Sequence, residues 1–150
     1  MKILALEFSS EQRSVAVVED GRVLGEAREK TGKHTQAFAL IEAALKEAQL
    51  EREQIDGIAV GIGPGSYMGT RIAIAIAQGW QLARGVKTAG ISSAEAFARE
   101  ADKSGSAFPE ARAVGILAAE QQCFVSADKL EPIYLRQTSF VKAPPSRTIM

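Results

Sequence analysis

Asp20-Gly21 stands between two strand-like runs, Arg13 to Val18 and Arg22 to Arg28, and few residue pairs dictate local structure so narrowly. Asp-Gly between two such runs is a hairpin signal. Upstream, Lys2 to Phe8 is almost continuously apolar, the pattern of a central strand, and Ser9-Ser10-Glu11-Gln12 reads as a turn. The first thirty residues therefore predict a three-stranded antiparallel meander.

Beyond the meander the elements alternate in type. Thr35 can cap a helix running to about Gln49, with Phe38, Ile41, Leu45 and Ala48 on one face and Leu40 and Ala44 beside them. Ile55 to Ile62 reads as a fourth strand, followed by the glycine-rich stretch GIGPGSYMGTR and a helix from about Thr70 to Arg84. Gly85 supplies the stop, with Arg84 in the favoured last turn. Val86 to Ile91 is a fifth strand, and Ser92 or Ser93 can cap a short helix to Glu100. Ala113 to Ala118 reads as a last short strand, and Leu130 to Leu135, with Pro132 inside it, as edge strand or coil. The stretch from Ala143 to Met150, with Pro144-Pro145, reads as a disordered tail.

Three antiparallel strands followed by helix-strand-helix-strand-helix is the order of one ribonuclease H-like lobe, the unit that actin-like ATPases and sugar kinases use twice. The expected fold is thus α/β, a mixed five-stranded sheet with helices packed on it.

Composition narrows the function. Eighteen basic and eighteen acidic residues cancel, which argues against a general electrostatic grip on nucleic acid or anionic membrane. No apolar run approaches the ~18 residues that span a bilayer. Met1 to Leu6 meets Glu7 too soon for a signal peptide, so a cytoplasmic protein is expected. The single cysteine, Cys123, excludes an internal disulfide framework and reads as a packing residue. His34, the only histidine, supports neither a histidine metal cluster nor a Ser-His-Asp triad.

The glycine loop invites a phosphate-binding reading, which its spacing weakens. A Walker loop needs lysine after its last glycine, and here Thr70-Arg71 follows Gly69. The dinucleotide fingerprint needs a third glycine one residue earlier than Gly69. Pro64 also removes an amide donor. Glu7, Gly63, Gly65 and Ser66 remain the weak candidates for holding a phosphate or its magnesium. Otherwise Gly63-Pro64-Gly65 makes a tight turn, Ser66 caps the next segment, and Gly69 permits close backbone approach.

The helix launched by the loop is apolar on nearly every side, more than one sheet face can account for. Ala73, Ala77 and Gly79 would let another helix lie close, and Gly79 costs the helix about 1 kcal/mol that an intimate contact would offset. Together with the broad stripe of the Thr35–Gln49 helix, this predicts a patch for a second protein subunit. The candidates are Phe38, Ile41, Leu45, Ile72, Ala73, Ile76, Ala77 and Trp80, some of which must face the sheet instead. The competing reading is that a C-terminal segment of the same chain covers both helices.

The stretches MKILALEFSSEQRSVAVVEDGRVL, GIGPGSYMGTRIAIAIAQG, GISSAEAFA and EPIYLR together resemble the TsaB (YeaZ) family, from which the loop departs at Tyr67, Met68 and Thr70. The resemblance covers about Met1 to Ala101 and resumes near Leu130 to Arg136. It implies a non-catalytic partner in making threonylcarbamoyladenosine on tRNA, docked through its two apolar helices onto a TsaD-type transferase. It further implies a TsaE-type ATPase in the same assembly, a homodimer when alone, contact with tRNA only through the partner, and no cofactor. Catalysts of the TsaD type carry an H-x-x-x-H metal pair, and the corresponding positions are Ser93 and Phe97, neither a usual ligand. The family's aspartate-threonine after the first strand is Glu7-Phe8. On this resemblance residues 1–101 are the N-terminal lobe, 102–142 a remnant of the second lobe and C-terminal segment, and 143–150 a tail. Two rivals remain: an actin-like phosphotransferase or hydrolase using Glu7 and the loop, and a diverged lobe that only forms homodimers.

Overall fold

A computed structural model describes residues 1–30 and 36–134. The expected caps and loop at His34 and Thr35, the end of the YLR segment and the tail at 143–150 lie outside the described residues.

The opening meander forms as the sequence requires. Strand β1 (Lys2–Glu7) pairs antiparallel with β2 (Gln12–Glu19), and β2 with β3 (Arg22–Lys30). Asp20 and Gly21 take φ of 52° and 76°, the doubly left-handed turn that suits twisted hairpin strands. Strands β4 (Gly57–Gly61) and β5 (Lys87–Ile91) add in parallel on the other side of β1. The sheet order is β3-β2-β1-β4-β5-β6, that of a ribonuclease H-like lobe with one extra edge strand. That strand, β6 (Phe124–Val125), pairs antiparallel with β5 and corrects the expected five-stranded sheet to six. It is two residues long and therefore leaves no periodic trace.

Side chains alternate across this sheet and build two cores. Leu4, Leu6, Phe8, Val15 and Val17 face helices α1 (Ala37–Ala48) and α2 (Tyr67–Arg84). Ile3, Ala5, Ala16, Val18 and Ala59 face helix α4 (Ala111–Gln121) and Ala96 of α3 (Ser93–Ser104). Covering both faces explains why β1 reads as an unbroken apolar run.

Helix α4 replaces the strand expected at Ala113 to Ala118. A six-residue apolar run does not distinguish the two states, and alanine is the strongest helix former. The helix also fits its bed of small side chains: a Cβ on Gly115 would come within 2.8 Å of Val18 Cγ2. Residues Leu130 to Tyr134 are coil, with the Ile133 amide donating to the Ile62 carbonyl at 2.8 Å.

Helix α2 starts a turn earlier than expected, at Tyr67, because Ser66 caps it by accepting from the Gly69 amide at 3.0 Å. Gly85 ends it in the left-handed conformation, φ 69°. Gln36, not Thr35, immediately precedes α1. Ser92 caps α3, which runs on to Ser104, four residues past the expected end.

Candidate functional site

Two features lie on α2, one at its first turn and one along its flank. At the first turn, the loop from β4 folds back onto the end of β1. The Ser66 amide donates to the Ser9 carbonyl at 2.6 Å. A Cβ on Gly65 would overlap that same carbonyl, and one on Gly69 would overlap the Phe8 carbonyl and the Arg13 guanidinium. These two glycines hold backbone against backbone.

Beneath the loop, Glu7 is completely buried. Its Oε2 accepts from the Ser9 amide at 2.8 Å and the Ser9 hydroxyl at 2.6 Å. Its Oε1 accepts from the Ser93 hydroxyl at 2.7 Å. Ser93 Oγ in turn accepts from the Gly63 amide at 3.0 Å, and the Ser93 amide donates to the Gly63 carbonyl at 2.8 Å. Burial pushes the Glu7 carboxyl above its ordinary value, against the lowering effect of the Ser9 and Ser93 hydrogen bonds and the Arg13 charge. A side chain at Gly61 would collide with this carboxyl.

The four weak candidates for phosphate or magnesium are thus brought near the end of β1, Glu7 and Gly63 joined through Ser93 and Gly65 and Ser66 packed on Ser9. The residues do not fit a magnesium-bound phosphate: both Glu7 oxygens are occupied by protein donors, and the aromatic ring of Phe8 is in the core. Of the positions aligned with the metal-binding pair, Ser93 belongs to this buried network and Phe97 is on the outside of α3, 38% exposed.

The flank of α2 is different. Between it and α1 runs an open, mostly apolar groove of about 650 Å³. Phe38, Ile72, Ile76, Gly79 and Trp80 line it, with Arg52, Glu53 and Arg84 supplying polar groups. Phe38 is 62% exposed, while Ile72, Ile76 and Trp80 are half-buried. Trp80 Nε1 is shielded from solvent and finds no hydrogen-bond partner among the described residues, unusual for a buried indole. A Cβ at Gly79 would meet nothing within 4 Å.

The other proposed contact residues are corrected by burial. Ile41, Leu45, Ala73 and Ala77 belong to the core between the helices and the sheet, Ile41, Ala73 and Ala77 with no exposure at all. Helical periodicity assigns residues to a stripe but does not say which edge of a broad stripe is covered. An arginine at Ala73 or Ala77 would therefore attack the core before any interface. Sequence reasoning missed Arg52 and Glu53, which reach the groove from a short 3-10 turn, Arg52–Gln54, without an apolar signal.

Known proteins share both the sequence pattern and the fold. A family model for TsaD, tRNA N6-adenosine threonylcarbamoyltransferase, matches residues 28–139. The chain is 34% identical over 102 residues to the tRNA threonylcarbamoyladenosine biosynthesis protein TsaB of Escherichia coli K12, covering 67% of this chain and 44% of that protein. It is 32% identical over 113 residues to a tRNA N6-adenosine threonylcarbamoyltransferase of Geobacter sp. M21, covering 63% of this chain and 33% of that one. The chain thus spans less than half the length of these curated relatives. The solved structure of YeaZ from Pseudomonas aeruginosa shares the fold, with a TM-score of 0.78 at 20% identity over 89% of this chain and 99% of that chain.

Proposed function

We infer the function from one premise: the chain belongs to the TsaD family and, within it, resembles the TsaB/YeaZ proteins. Its proposed role is in threonylcarbamoyladenosine biosynthesis on tRNA, as a non-catalytic scaffold that docks a TsaD-type transferase in the α1–α2 groove. Gly79 carries this reading. A glycine in mid-helix costs about 1 kcal/mol against alanine. Nothing among the described residues lies over Gly79, so no internal packing offsets that cost. A helix from another subunit, laid close against α2, would do so and would also bury Ile72, Ile76 and Trp80.

The closed network at Glu7 supports a non-catalytic role and disfavours the phosphotransferase alternative, which needs that carboxylate to reach a magnesium-bound phosphate. We extend the proposal to a homodimer through the same groove when the transferase is absent, a TsaE-type ATPase in the larger assembly, and a cytoplasmic site of action. No described helix is long and apolar enough to cross a membrane. The division into a lobe at 1–101 and a second-lobe remnant at 102–142 stays a proposal. Helix α4, inside the second range, closes the sheet of the first.

Sedimentation equilibrium of the chain, alone and mixed with a TsaD-type transferase, tests the role. A heterodimer that displaces any homodimer is expected. A homodimer indifferent to the transferase, or a monomer in both mixtures, would overturn the docking assignment.

A further inference from the structure

One exposed cluster is used neither by the buried network nor by the groove. Tyr67 and Met68, in the first turn of α2, are 59% and 64% exposed, and Tyr134 is 39% exposed. The Arg71 guanidinium lies over the Tyr67 ring, 4.4 Å from its centroid, and its Nη2 donates to the Tyr134 hydroxyl at 2.6 Å. The two tyrosine rings are 6.1 Å apart and tilted by 32°. Tyr67 and Met68 are among the positions where the loop departs from the family pattern.

Arg71 has no carboxylate partner among the described residues, unlike Arg28, Arg52, Arg84, Arg99 and Arg112. Its plane is set by one tyrosine ring and one hydroxyl. A guanidinium stacked on an aromatic face is a rigid platform that offers a flat surface and a positive charge together. The complementary ligand is flat, aromatic and anionic. Unpaired nucleobases stack on tyrosine faces and guanidinium planes, and their phosphates pair with arginine. An acidic peptide would match the charge and leave the exposed aromatic faces unused.

We propose that Tyr67, Arg71 and Tyr134 form a binding platform for one unpaired nucleotide, the base stacking on the Tyr67–Arg71 pair and the phosphate meeting Arg71. This adds a direct nucleotide contact that the scaffold reading does not require. The cluster also fastens the Leu130–Tyr134 segment to α2, through the Arg71–Tyr134 hydrogen bond, whose two partners Tyr67→Ala leaves in place.

The test is fluorescence anisotropy on the full chain alone, titrated with a labelled single-stranded oligoadenylate and competed with unlabelled oligoadenylate, AMP or polyglutamate. Saturable binding is expected, weakened about tenfold or more by Tyr67→Ala and retained by Tyr67→Phe. Arg71→Gln should lower the salt slope of binding by about 0.7. AMP competing at equal site concentration would assign the platform to free nucleotides, and much weaker competition by AMP would assign it to a strand; both support the proposal. It is overturned if neither ligand binds, if Tyr67→Ala binds as the native chain does, or if polyglutamate displaces the labelled strand as well as unlabelled oligoadenylate does. No transferase is present in the experiment, so its outcome is independent of the groove's.

Discussion

The two ends of α2's exposed surface obey opposite rules. At its first turn and in the strand end and loop that lead into it, the space over the glycines is taken: Gly61 by the Glu7 carboxyl, Gly65 by the Ser9 carbonyl, Gly69 by the Phe8 carbonyl and Arg13. Three turns later Gly79 has open space where those have atoms. Sequence reasoning points in the same direction, since the loop's glycine spacing weakens a phosphate reading and Gly79 in an over-apolar helix points to a neighbour from a second subunit. A glycine therefore signals close approach, and only its surroundings show whether the approaching group is already present. At the loop it is present, and the site is closed. At the groove no described residue fills the space over Gly79, and the surface is open.

The strongest perturbation of this contrast is at the helix face turned inward. Ala77→Arg places an unpaired charge in a position with no exposure, at a cost of roughly 3–5 kcal/mol. We expect no cooperative thermal transition by circular dichroism. A folded variant that merely loses its partner would show that Ala77 faces outward.

Next comes the closed end. Gly69→Ala forces a methyl group against the Phe8 carbonyl, and overpacking of this kind costs about 1–3 kcal/mol. A urea midpoint equal to that of the native chain would contradict the packing described. At the open end the same kind of change should reverse sign. A Cβ at Gly79 meets nothing within 4 Å and Gly79→Leu improves helix propensity by about 0.7 kcal/mol, so the chain alone should become more stable. Association with a TsaD-type transferase should weaken at least tenfold in sedimentation, because the close approach is blocked. Unchanged affinity would break the contrast between the two glycines.

The smallest effect concerns pH. Glu7 titrates above its unfolded value of 4.5, so between that value and its folded value the native chain binds more protons than the unfolded chain. Stability then falls as pH rises through that window. Glu7→Gln should flatten this slope in a series of urea titrations. Arg13 is the charged neighbour that opposes the shift. A native profile with no fall above pH 4.5 would mean that burial does not dominate at Glu7.

How much of this was legible in the sequence varies with the physical signal involved. Asp20-Gly21, the Ser66 cap and the Gly85 stop are local chemistry, and each was readable from a few residues. Helix α4 was not, because Ala113 to Ala118 carries an apolar run too short to show a period, and its helical state is settled by the small side chains beneath it. Strand β6 is too short to show any pattern. The patch on α1 and α2 was legible as an excess of apolar residues. The sequence could not separate Ile41 and Leu45, which are core, from Phe38, which is exposed, because the stripe is wider than the face it covers.

Hydrogen–deuterium exchange on the chain, with and without a TsaD-type transferase, would separate the open groove from the closed loop in one experiment. New protection is predicted across Ile72 to Ala83 and around Phe38, with Gly61 to Ser66 and the start of α3 unchanged. Protection confined to Gly61–Ser66 and Ser93–Phe97, with the groove unaffected, would contradict the assignment of the groove as the docking surface.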